Sequence, residues 1–109
     1  MENINIINNL KSYNNIIEKR PNNYFLVYIT SKRCQDTNTI FSELTNDINE
    51  TNNLIFIKID VDQSPELVKY LDITTYPIFR IYKNNQNLKE ICSTYTNIRN
   101  ILQNVISIC

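Results

Sequence analysis

Two apolar runs with a helical pattern between them limit this chain more than any other feature. Tyr24-Phe25-Leu26-Val27-Tyr28-Ile29 is continuous, rich in aromatic and β-branched side chains, and ends at Thr30. Leu54-Ile55-Phe56-Ile57-Lys58-Ile59-Asp60-Val61 has the same character. A strand apolar on both faces is one covered on both faces, as in the centre of a layered α/β domain. Between the runs, Ile40, Phe41, Leu44 and Ile48 recur at helical spacing from Gln35 onward. A helix between two strands permits them to lie parallel.

The remaining segments extend this core. Apolar residues at 6, 7, 10, 13, 16 and 17 predict a helix over Ile6 to Ile17, ended by Pro21 and Asn22-Asn23. Ser64-Pro65-Glu66 reads as N-cap, first-turn proline and first-turn acid of a short helix through Leu71. Ile78 to Tyr82 and Leu88 to Cys92 are two strands joined by the turn Lys83-Asn84-Asn85-Gln86-Asn87. Thr96 is placed to cap a last helix carrying Ile98, Ile101, Leu102, Val105 and Ile106. The expected order is α-β-α-β-α-β-β-α. It makes one α/β domain over residues 1–109, with a central mixed sheet flanked by helices on both faces.

Composition removes several function classes. Lys plus Arg and Asp plus Glu number 11 each, with no basic face, so no nucleic-acid partner is expected. No run approaches the ~18 apolar residues of a membrane span. The opening MENINIINNL lacks the basic start and unbroken apolar stretch of a secretory signal. Histidine is absent and the three cysteines, Cys34, Cys92 and Cys109, form no C-x-x-C pair, so neither a metal site nor a cofactor is expected. An odd cysteine count without a signal predicts reduced thiols and a cytoplasmic setting, and no internal disulfide. The chain holds 19 Asn and 19 Ile and no Gly, a bias like that of a very AT-rich genome. If the source is viral, the setting is the host cytoplasm. Turns that need positive φ must then use Asn.

Several segments together resemble thioredoxin-like proteins. LIFIKIDVDQSPELVKYLDITTYPIFRIYKNN, Leu54 to Asn85, is similar to the second half of that family, and FLVYITSKRC, Phe25 to Cys34, to the run from its central strand into the redox motif. The likeness covers about residues 24 to 106, and residues 1 to 20 fit the family's first helix. It implies the thioredoxin fold, thiol–disulfide chemistry at Cys34, and a cis-proline at Pro77 beside the active cysteine. It implies also that Tyr76 offers its backbone to a substrate, with Arg33 and Gln35 flanking the thiol.

The motif itself departs from the family. Anchored on the strand, it reads Cys34-Gln35-Asp36-Thr37, with Thr37 where the second cysteine would stand. The family's buried acid falls at Tyr28. A second register, Ser31-Lys32-Arg33-Cys34, would make Cys34 the second position, but it shortens the connection from the strand by three residues. The first register is preferred.

A thiol at a helix N-terminus, with Lys32 and Arg33 nearby, favours the thiolate that attacks disulfides, while Asp36 opposes it. Thr37 can donate to the Cys34 sulfur but cannot resolve a mixed disulfide. The expected function is therefore monothiol exchange, or mixed-disulfide formation, with client proteins bearing thiols or disulfides. Glutathione is a candidate partner that completes the cycle. The alternative is a redox-inactive module that binds a peptide at the Pro77 surface. An iron–sulfur monothiol glutaredoxin fits poorly, since the C-G-F-S motif has no counterpart. A monomer, free of membrane, is expected.

Overall fold

A computed structural model describes residues 4–47, 54–91 and 95–106. The elements are β1 (Ile4–Ile6), α1 (Leu10–Lys19), β2 (Tyr24–Thr30), α2 (Gln35–Asp47), β3 (Leu54–Asp60), α3 (Pro65–Tyr70), β4 (Ile78–Lys83), β5 (Gln86–Ile91) and α4 (Tyr95–Ile106). They build one five-stranded sheet in the order β1-β3-β2-β4-β5. β1, β3 and β2 run parallel, β4 is antiparallel to β2, and β5 to β4.

The two apolar runs occupy the sheet centre. Because side chains alternate along a strand, Phe25, Val27, Ile29, Ile55, Ile57 and Ile59 enter one core with Tyr13, Ile17 and Leu67 of α1 and α3. Leu26, Tyr28 and Phe56 enter the other with Phe41, Leu44 and Ile98 of α2 and α4. Helices thus cover both faces, which is why these strands carry no polar alternation. Tyr28 stacks on both Phe41 and Phe79, with ring centroids 4.7 and 4.6 Å away.

The structure corrects the N-terminal reading. Residues 4–6 form an edge strand paired with β3, and the helix begins only at Leu10. Ile6 and Ile7 satisfied the helical spacing by coincidence: Ile6 is 69 % exposed on the strand, while Ile7 is buried. Asn9 is the N-cap, its Oδ1 accepting from Ser12 N at 2.8 Å. Asn5 reinforces the edge by donating from Nδ2 to the Phe56 carbonyl.

Other boundaries shift by one or two residues, each for a visible reason. β3 stops at Asp60, whose Oδ1 accepts from Asp62 N at 2.9 Å and turns the chain around Val61, which still donates its N–H to the Thr30 carbonyl. Ser64 holds the N-cap position of α3, but its buried hydroxyl donates to Asn8 Oδ1 instead of capping. That helix ends at Tyr70, with Leu71 as its C-cap. The hairpin strands reach further than expected, to Lys83 and Gln86, because Asn84 and Asn85 alone make the turn at φ 53° and 62°. Two left-handed residues are the twist-matched hairpin turn, here built without glycine. α4 starts at Tyr95, so Thr96 lies inside its first turn. Ile48, Cys92 and Cys109 lie outside the described residues, and with them the expectation that no disulfide forms.

Candidate functional site

The antiparallel register of β2 and β4 pairs Ile29 with Ile78. The residues that follow β2 and those that precede β4 therefore meet at one end of the sheet. There Arg33, Cys34, Gln35, Asp36, Thr37 and Pro77 line an open cleft of about 360 Å³. The structure thus brings together five of the six residues singled out in the sequence. Tyr76 does not line the cleft; it is 42 % exposed and its bond to Pro77 is cis. Among the described residues no cluster of His, Cys, Asp or Glu could hold a metal.

Cys34 is half-buried and sits one residue before α2. Its carbonyl accepts from Asn38 N at 2.9 Å, the first bond of the helix, so Cys34 is the N-cap residue. The thiol is thereby set at the positive end of a helix of 13 residues. The turn into that position is closed by Cys34 N donating to the Ser31 carbonyl at 3.1 Å.

Partial burial pushes the Cys34 thiol up, but opposing contacts outweigh it and hold it below its ordinary value. In descending weight these are hydrogen bonding from the Ser31 side chain, then its backbone, then the Thr30 hydroxyl, and last the Arg33 charge. Ser31 Oγ lies 3.5 Å from Cys34 Sγ. Among the described contacts, none joins Thr37 to the sulfur.

Beneath the thiol is a polar network that the sequence reading did not reach. Tyr28 donates from its hydroxyl to Asn38 Oδ1 at 2.6 Å. The Thr30 hydroxyl has the same oxygen at 3.0 Å and the Ser31 carbonyl at 3.1 Å. Burial, foremost, pushes the Tyr28 phenol up to about 12, with the nearby Cys34 charge adding to it and the Thr30 and Thr37 hydroxyls pulling back. A signal for this network was present: Thr30 and Ser31 are polar residues that end an apolar strand, and both are buried. Buried hydroxyls need partners.

A five-stranded mixed sheet of this order, helices on both faces, and a helix-capping cysteine facing a proline ahead of β4 define a thioredoxin-fold protein. Comparison with known proteins agrees. The family model described as Thioredoxin matches residues 5–106, and the chain belongs to the thioredoxin family. Thioredoxin of Ictalurus punctatus is 29 % identical over 87 residues, 77 % of this chain and 80 % of that one. The crystal structure of Schistosoma mansoni thioredoxin superposes with a TM-score of 0.82 at 18 % identity, covering 94 % of this chain and 95 % of that one. For Fasciola hepatica thioredoxin the TM-score is 0.81 at 18 % identity, over 92 % and 97 %. At such identity the two structures speak to the fold.

Proposed function

We propose that this protein is a monothiol thiol–disulfide exchange protein of the thioredoxin family, with Cys34-Gln35-Asp36-Thr37 as its motif. One observation carries the reading: a half-buried thiol, held below its ordinary pKa, opens into a cleft shared with Pro77. The register with Cys34 first is favoured because Cys34 caps α2 and the residues after it, not those before Arg33, line that cleft.

In the proposed step, Cys34 Sγ attacks one sulfur of a client disulfide as the thiolate. The client S–S bond breaks, and the departing client sulfur takes a proton from water. The product is a mixed disulfide between Cys34 and the client. Thr37 carries no sulfur, so the bond waits for an outside thiol of the glutathione class. Attack of that thiol on the client sulfur returns the Cys34 thiolate and leaves the client joined to glutathione. Arg33, Gln35 and the Tyr76 backbone flank the entering chain. The setting proposed is a reducing, cytoplasmic one, or the host cytoplasm if the source is viral, with the protein acting as a monomer.

The test is alkylation at neutral pH, with adducts at each cysteine read by peptide mass spectrometry. Cys34 should react faster than the terminal Cys109, and a disulfide-bonded client should be captured on Cys34 as a mixed disulfide. Equal rates at the two cysteines, with no captured client, would leave the binding-module reading in its place.

A further inference from the structure

Ser31 is 2 % exposed, a hydroxyl walled in at the start of the β2–α2 connection. Its Oγ accepts from Arg33 N at 3.2 Å. That contact occupies a lone pair and leaves the single hydroxyl proton for another acceptor. The sulfur of Cys34, 3.5 Å away, is placed to take it. The Ser31 carbonyl also accepts from Cys34 N, so the two residues are fixed to each other through the main chain. A neutral thiol and a hydroxyl can donate in either sense, but a thiolate can only accept.

We infer that Ser31 is a catalytic residue of the Cys34 site, its hydroxyl donating to Sγ whenever the sulfur carries negative charge, a task Thr37 does not share. The consequence for turnover rests on the exchange reading above. Sulfur is charged twice in that cycle: as the attacking thiolate, and as the leaving group when an outside thiol strikes the client sulfur. A donor on Sγ raises the thiolate population and eases departure. It also makes the thiolate a weaker nucleophile, since nucleophilicity follows basicity.

These opposed effects give Ser31 a kinetic signature. The test is the rate of Cys34 alkylation by iodoacetamide against pH in the full chain, for the parent, Ser31→Ala, Ser31→Thr and Thr37→Val. Ser31→Ala should raise the inflection by about one pH unit, the scale of one hydrogen bond to a charged group. Below the inflection it should react about threefold more slowly, and above it about threefold faster, because a tenfold loss of thiolate is partly offset by higher nucleophilicity. Ser31→Thr should restore the parent profile and Thr37→Val should keep it. A structural disturbance alone would not slow one limb and speed the other.

A folded Ser31→Ala protein whose profile superposes on the parent's overturns the assignment, as does a Thr37→Val profile that shifts in its place. Should Ser31→Ala fail to fold, Ser31→Cys decides: a thiol at this position should bridge to Cys34 under mild oxidant, and a folded protein that forms no bridge overturns the contact. The two readings fail separately. A low parent inflection with no effect at Ser31 sinks this inference alone. A Ser31 effect without any captured client sinks the exchange function alone.

Discussion

Tyr28 donates its hydroxyl to Asn38 Oδ1 at 2.6 Å, where the family resemblance would have put a buried acid beneath the active cysteine. The substitution changes what the interior can do with a proton. A carboxylate there could take one from a neighbouring thiol, whereas a phenol pushed up to about 12 stays protonated near neutral pH and cannot take one. Tyr28 therefore belongs to the support of the site and not to its proton traffic.

The same shift fixes the sign of an alkaline effect on stability. The folded phenol keeps its proton to a higher pH than the unfolded one, from 10.0 to about 12. Between those values the unfolded state binds fewer protons, so stability is fully present below the lower value and is lost as pH rises through the upper one. Tyr13, buried and also raised, contributes in the same direction. The melting temperature should fall steeply across this window, and Tyr28→Phe should make the fall shallower. An equal slope in the two proteins would contradict the assignment. At neutral pH Tyr28→Phe should cost about 1 kcal/mol in a urea titration, the net value of one hydrogen bond.

Thr37→Cys restores a second thiol in the first turn of α2. The variant should reduce insulin-type disulfides that the parent leaves intact, because a resolving thiol now closes the cycle. It should still fall short of a complete dithiol site by about a hundredfold, the low end of what a positioned proton acceptor contributes. Adding Tyr28→Asp in the same chain should recover part of the difference. A Thr37→Cys protein that folds and stays inert would count against the Cys34-first register.

Arg80 should prove structural, and its loss costly. Its guanidinium is buried on β4 and donates to the Leu71 carbonyl at 2.6 Å, the Asp72 carbonyl at 3.2 Å and the Tyr82 hydroxyl at 3.0 Å. Those carbonyls close the end of α3, where Asp72 has φ 55°, and the chain then runs on to Tyr76 and Pro77. Glu90 is 3.7 Å from Nε, a charge contact too long for a hydrogen bond, and it is 45 % exposed. Arg80→Met should therefore destabilise by about 3 kcal/mol, since it leaves buried carbonyls without donors. Glu90→Gln should cost less than about 1 kcal/mol. Chemical denaturation of the two variants checks the ranking.

How much of this was legible depended on whether a residue's neighbours were near in sequence. β2 and the start of α2 were readable because an unbroken apolar run and a helical repeat are local patterns. β1 was not, because a three-residue edge strand is held by backbone pairing with β3, about fifty positions away. Asn8-Asn9 ahead of Leu10 was the overlooked sign that the helix started late. At the site, Cys34 and Pro77 could be placed through the family resemblance. The partners of the sulfur could not, since Ser31 was read as an alternative motif position and its contact depends on how the connection folds back. Arg80 was not singled out, because no local pattern marks a strand arginine whose partners are the carbonyls at the end of α3 and the Tyr82 hydroxyl.

Asparagine fills the left-handed positions of the hairpin, although Asp72 at the end of α3 corrects the expectation that every such position must use asparagine. Asn84 and Asn85 lie at φ 53° and 62°, a region that costs an ordinary L-residue roughly 1–2 kcal/mol. Asparagine tolerates it better than most, but glycine has no side chain to clash, and Asn-Gly is the favoured pair for a two-residue turn of this twist. Asn85→Gly should therefore stabilise the protein by about 0.5 kcal/mol, the relief of strain being partly offset by the greater freedom of glycine in the unfolded chain. Asn85→Val should destabilise it by about 1–2 kcal/mol, because a β-branched side chain fits left-handed backbone worst. The hairpin lies away from the Cys34 cleft, so neither change should alter the rate at which Cys34 is alkylated. Urea midpoints for the pair, read beside that rate, separate a turn effect from a site effect; a valine variant as stable as the parent would mean that the turn can adopt another conformation at no cost.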